Sequence, residues 1–396
     1  MATGTANPHW SVPVFLVACT WVSVLSTDLY TPSLPHLPGL LDTTEQAATL
    51  TMSINLAAYA VAQLVHGPLA DRFGRRSLLV FGMATFAAAS AACALAPSIE
   101  ALIAGRALQG LLSSVPSVVV LLVIHELYGR GPAVRILGFH GMAVAIAPIV
   151  GPLIGGYVFV YFGWRANFWL LTAFAAAVAV LVLRNVPETR AERTALHWPS
   201  ILRNYGATLR QRTAMAYLFP MAANFGVLFA FITSGPFLLI DVYGVATEDY
   251  GLWFGTVILA AVIGGMIANR LGGRVDTRRL QRAALAFSTV GVALLVASVL
   301  GGFESLYSVV GGMTVFALGL GLMNATGPLL MLDNVGDLPK SAASAVSGSA
   351  HLAAASGASL LVGIFHADTA LPAALIMAGL TAVGLAGHFL LLRRPQ

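Results

Sequence analysis

The chain has 396 residues, 58% of them hydrophobic and only 9% charged, where a soluble domain carries about a quarter charged residues. With a mean hydropathy of +0.84, this composition excludes a water-soluble globule. The formal charge of +5 does not mark a nucleic-acid binder: of the 21 Lys+Arg, only Arg106 and Arg165 lie off one face of the topology below, the asymmetry of a membrane protein with a basic cytoplasmic side.

About 20 apolar residues cross the roughly 30 Å hydrocarbon core. Spans are predicted near 11–31, 48–66, 77–97, 100–124, 136–160 and 166–184, then 214–239, 250–270, 281–302, 305–331, 342–365 and 370–392. Twelve spans place both termini on the cytoplasmic side. The predicted fold is an all-α membrane protein of two six-helix bundles, 1–187 and 213–396, joined by a cytoplasmic linker over 188–212. The first stretch lacks a basic n-region and a small-residue cleavage site, so it is expected to stay as a helix. Cys19 and Cys93 fall at different depths and read as two buried thiols.

In span 1, Asp28 is the one acid placed at membrane depth, just before Tyr30, Pro32 and Pro35. A charged carboxylate there costs about 2.5–3.5 kcal/mol on insertion scales, so it marks a cavity or a relay. A carboxyl held away from water keeps its proton more readily. The other reading has Asp28 capping the helix end in the outer headgroup region. Pro32 and Pro35 remove backbone donors and are expected to break the helix.

Between spans 2 and 3 runs Gly67-Pro68-Leu69-Ala70-Asp71-Arg72-Phe73-Gly74-Arg75-Arg76, echoed after span 8 by Gly272-Gly273-Arg274-Val275-Asp276-Thr277-Arg278-Arg279. Each copy is read as a tight glycine-bearing turn carrying an acid and several arginines. Gly67 and Gly74 permit close approach, Asp71 can accept from a helix N-terminus across the seam between halves, and Arg72, Arg75 and Arg76 have acids such as Glu126, or lipid phosphates, as partners. The cluster reads as a cytoplasmic gate or as a basic loop that only sets topology.

Arg106, in the run Arg106-Ala107-Leu108-Gln109-Gly110 of span 4, stays charged at any depth and needs a partner. Facing Asp28, it would give that carboxylate two states, paired or protonated; alternatively it snorkels to the outer interface near Glu100. In span 5, Gly151, Pro152, Gly155 and Gly156 follow Pro148, a pattern for a bend at a closely packed seam or for a generic kink. The linker mixes Arg190, Arg193, Arg203, Arg210 and Arg212 with Trp198 and Tyr205, as an interfacial amphipathic helix would or as a solvated connection.

Tyr30, Asn55, Tyr59, Gln109, Asn224, Phe225 and His351 are the candidates for substrate contact. The alternative for the polar members is interhelical hydrogen bonding worth about 0.6 kcal/mol each, and for Phe225 a lipid- or core-facing stripe. His351 is of a type that titrates near neutral pH, so coupling and simple packing both stand. No metal-ligand spacing, nucleophile set or nucleotide loop is present, and no cofactor is expected.

These blocks resemble the major facilitator superfamily, within it the twelve-helix drug:proton antiporters. Gly67–Arg76 is similar to the G-x-L-a-D-r-x-G-r-r/k motif, Arg106–Gly110 to R-x-x-Q-G, and Gly151–Gly156 to the core of the antiporter motif. Asp28-Leu29-Tyr30-Thr31-Pro32-Ser33-Leu34-Pro35 resembles the D-x-Y-x-P-x-x-P block of bicyclomycin/chloramphenicol-resistance exporters. The resemblance implies a central cavity open alternately to each side, Asp28 as proton carrier with Arg106 as its partner, and proton-driven drug export from a bacterial inner membrane. The expected partners are a small drug, protons and membrane lipids, and a monomer is expected. An uptake or facilitative metabolite carrier on the same fold is the alternative. Ala147 stands where the motif has Gly, and Thr20 stands where some relatives carry a second acid, which bears on cationic substrates and proton number.

Overall fold

In the computed structural model, residues 11–128, 130–190, 196–365 and 369–392 are described, and every regular element among them is helical. That is the outcome lipid demands of an apolar chain, because a helix satisfies its backbone polar groups within itself. The first half holds α1 (Ser11–Asp28), a short 3-10 turn (Thr31–His36), α2 (Leu37–Leu41), α3 (Glu45–Phe73), α4 (Arg75–Ala94), α5 (Ile99–Tyr128), α6 (Arg130–Phe162) and α7 (Trp164–Asn185). A linker helix, α8 (Trp198–Arg210), leads to α9 (Arg212–Pro236), α10 (Tyr250–Leu271), α11 (Thr277–Leu300), α12 (Leu306–Asp333), α13 (Lys340–Ile364) and α14 (Leu371–Leu392). Among the described residues, 12 helical segments are long and apolar enough to cross a membrane. Arg193 of the linker lies outside the described residues.

Packing repeats between the halves. In the first, α3 and α4 pack on α5, and α6 and α7 pack on α1; in the second, α10 and α11 pack on α12, and α13 and α14 pack on α9. The halves meet along two equivalent seams, α3 with α13 and α6 with α10. Along the first, Ser356 Oγ donates to the Ser53 carbonyl at 2.8 Å, Gly363 faces Thr49, and Gly348 faces Gln63.

The α6–α10 seam is closed at one end only. Gly255 faces Ile149, Gly251 faces Leu153, and Gly156 faces the Thr247 carbonyl. Further along the same helical faces, Met142 on α6 is 65% exposed and Met266 on α10 is 49% exposed. The closed end is that of Asp28; the open end is that of the arginines.

One sequence expectation needs correction. Gly67–Phe73 is not a loop: α3 runs on through it, and only Gly74, at φ 94°, separates α3 from α4. Helix formation does not stop where the apolar residues stop, since arginine and leucine are equally good helix formers. In α6, Pro148 and Pro152 both lie within a single helix, Arg130–Phe162. The break at Pro32 and Pro35 does occur: α1 ends at Asp28 and the chain turns into the 3-10 segment.

Candidate functional site

Asp28 closes α1 and is 4% exposed. It is sealed in by α6: a methyl added to Gly151 would stand 2.7 Å from Asp28 Cβ, and one on Gly155 would strike the Leu29 carbonyl. From the other half, the Tyr250 hydroxyl at the start of α10 is within electrostatic reach of the carboxylate. No ion pair to Asp28 is formed among the described residues.

Arg106 is fully buried, yet it does not face Asp28 in the expected pairing. One amine, Nη1, donates to the Ser26 carbonyl at 2.7 Å and to Gln109 Oε1 at 2.9 Å. Nη2 reaches Met52 Sδ at 3.6 Å, and the guanidinium lies 5.1 Å from the Tyr30 ring centroid. Gln109 passes the chain on by donating to Ser90 Oγ at 2.7 Å. A planar fork can satisfy several acceptors at once, and α1, α3 and α5 supply them, so the cation is held two residues short of Asp28.

At the other end, Arg75 is 2% exposed. It pairs with Asp71 at 2.8 Å and with Glu126 at 3.1 Å, and Arg190 adds a 3.4 Å pair to Asp71. Glu188, a residue the sequence reading passed over, sits on the N-terminus of α4: its carboxylate accepts from the Arg75 amide at 2.7 Å, where the helix end favours negative charge. Arg76 donates to the Leu183 carbonyl, and Arg72 lies 5.9 Å from the Phe73 ring centroid. Among the described residues the cluster ties the first half to the start of the linker: in this arrangement Asp71 pairs with Arg75 and Arg190, and no ion pair crosses the seam. Gly67 is less crowded, since a methyl there would meet Val118 at 3.8 Å.

Gly74→Ala is expected to lower the thermal midpoint of the detergent-solubilised protein by a few degrees. Its backbone, at φ 94° and ψ 154°, lies in a region that glycine almost alone adopts and that costs another residue about 1–3 kcal/mol, and the added carbon would collide with the Glu188 carboxylate. An unchanged midpoint on a melting curve would show that this junction is not under constraint.

The profile of the Major Facilitator Superfamily matches residues 16–362. The chain belongs to this superfamily. A bicyclomycin resistance protein homolog of Haemophilus influenzae is 25% identical, with 98% of each chain covered. A chloramphenicol resistance protein of Pseudomonas aeruginosa is 30% identical over 77% of this chain and 72% of its own. Among solved structures, the Escherichia coli xylose transporter XylE, in a partially occluded inward open conformation, superposes with a TM-score of 0.72 over 98% of both chains at 14% identity. The facilitator is accordingly a multi-pass membrane transporter and not an enzyme.

The substrate candidates of this facilitator divide into two sets. Tyr30 shares a 2.9 Å hydrogen bond with Thr51, Asn55 donates to the Arg106 carbonyl at 2.9 Å, and Gln109 is spent on Arg106 and Ser90. Asn224 turns into the second half, donating to Ser288 Oγ at 2.8 Å. These four are buried and partnered within their own halves. Tyr59, Phe225 and His351 keep partial exposure, and the Phe225 and His351 rings meet edge-on at 5.5 Å. No group of three or more His, Cys, Asp or Glu among the described residues is arranged to hold a metal ion.

One further contact escaped the sequence reading. Tyr205 of α8 donates to the Leu64 carbonyl at 2.8 Å. Pro68, four residues on, has no N–H to give that carbonyl, so the linker helix supplies the missing donor. Because α8 packs on α9 and α13, this bond spans both halves.

Proposed function

We propose that the chain exports small, largely apolar drugs, phenicol-type antibiotics among them, in exchange for protons across a bacterial inner membrane. Both termini are cytoplasmic in this reading, which puts the arginine cluster inside and Asp28 toward the outside. The halves 1–187 and 213–396 rock about the linker, and the protein works as a monomer. The observation that carries the proposal is Asp28: a carboxyl group buried without a counter-ion among the described residues, at the closed end of the seam between the halves. Such a group is tolerable when protonated and demands water when charged, so its proton and the seam are tied together. Similarity to resistance proteins named for bicyclomycin and chloramphenicol supports the drug class.

In the cycle, drug enters from the arginine side against Tyr59, Phe225 and His351 as Asp28 gives up its proton to water on that side. Gly67, Asp71, Arg72, Gly74, Arg75 and Arg76 shape the inner gate; Gly151, Pro152, Gly155 and Gly156 shape the outer one. Opening outward releases drug and lets Asp28 take up a proton from the outer side, which the return to the inward arrangement carries across. One charge moving with the membrane potential yields about 2.3 kcal/mol per 100 mV.

The test is expression in an efflux-deficient host followed by transport in everted vesicles. Phenicol resistance that an uncoupler removes, together with pH-gradient-driven uptake into everted vesicles, is the expected result. Movement of substrate in the opposite direction would make it an uptake carrier and overturn the reading.

A further inference from the structure

The Tyr250 hydroxyl is an anomaly in this fold. The residue is fully buried, its hydroxyl has no hydrogen-bond partner among the described residues, and its ring stacks 6.0 Å from that of Phe254. An unsatisfied buried hydroxyl costs about 1–3 kcal/mol, so its position needs a reason. Asp28, on the other half, is likewise buried and forms no ion pair among the described residues. The two are brought together by one stretch of α6: Gly151 lies against Asp28, Gly155 against Leu29, and Pro152 and Leu153 against Gly251, the neighbour of Tyr250.

We propose that Tyr250 is the positioning partner of Asp28. Its hydroxyl donates to the carboxylate whenever the proton is gone and the α6–α10 seam is closed at this end. The tyrosine keeps its own proton throughout; the proton that leaves Asp28 goes to water. When the seam opens, α10 withdraws the hydroxyl and Asp28 faces solvent with one donor fewer. Proton affinity is thereby made a function of gate position.

The surroundings leave few competitors for this role. Arg106 on α5 is committed to the Ser26 carbonyl and Gln109, and the Tyr30 hydroxyl is bonded to Thr51. Glu248 and Asp249 precede α10, and α6 has no charged residue between His140 and Phe162. His36, the last residue of the 3-10 turn, shares a 3.0 Å hydrogen bond with Thr247.

The inference rests on the proton-coupled reading of Asp28, and Tyr250→Phe tests it separately from that reading. The variant keeps the ring and loses only an unbonded hydroxyl, so its thermal midpoint is expected to be unchanged or higher. In vesicles, the pH at half-maximal export is expected to move upward, because a carboxylate deprived of a donor holds its proton more tightly. In infrared difference spectra, the carboxyl band of Asp28, assigned by its loss in Asp28→Asn, is expected to shift in Tyr250→Phe. An unaltered pH profile with an unshifted band would overturn the inference while leaving Asp28 in its role. Coupled export by Asp28→Asn would instead remove the reading beneath it, and the inference with it.

Discussion

Asp28→Asn is expected to abolish gradient-driven accumulation while leaving the protein folded and abundant. The amide has the shape of the protonated acid and cannot carry a proton, so the substitution removes the coupling and not the packing. Replacing a buried group that lacks a counter-ion with a neutral one is also neutral or favourable for stability, so the thermal midpoint should hold or rise. The loss is large: one proton moving through 100 mV supplies about 2.3 kcal/mol, or about 50-fold accumulation. The variant should fall to near-equal concentrations on the two sides, possessing at most passive exchange. Vesicle uptake under an imposed pH gradient makes the comparison, and wild-type accumulation by the variant would end the assignment of Asp28.

Gly251→Val should have the second largest effect, through the shape of the seam. A side chain at 251 runs into the backbone of Leu153, and overpacking of this kind costs about 1–3 kcal/mol. The penalty falls only on the arrangement closed at the Asp28 end, so that population should drop by a factor of about 5 to 150. Spin labels on Ile154 and Leu252, both exposed, would then report a longer distance between α6 and α10. Turnover should fall too, since the cycle must pass through the closed arrangement. Unchanged distances and turnover would mean that this contact does not form in the working protein.

The fold was largely legible in the sequence because lipid leaves so little choice. Long apolar stretches have to be helices, and the weighting of arginine to one side orders them. What failed to show was direction. Sequence places Arg106 one helix away from Asp28 but does not say which acceptors its fork will find; Ser26 and Gln109 took it. It shows Asp71 among arginines but not that Arg75 of the same half and Arg190 of the linker would claim it. Glu188 and Tyr250 gave no signal at all. Each matters only through where a distant backbone amide or carboxylate ends up, and no periodicity encodes that. Asn55 and Gln109, polar at membrane depth, carried a signal with two meanings, and packing rather than lining accounts for their partners.

The Tyr205 bond to the carbonyl that Pro68 leaves free changes what kind of connection 188–212 is. A slack tether would tolerate extra residues almost anywhere. Here the hydroxyl must arrive at one rotation of α8 and one distance from α9, which begins at Arg212. A single residue added inside α8, between Tyr205 and Arg210, would turn the hydroxyl about 100° around the helix relative to α9, given 3.6 residues per turn. The length of the joint is thus set in phase, as the pitch of a screw is, and swapping this segment between otherwise similar carriers would preserve the reach but lose the thread.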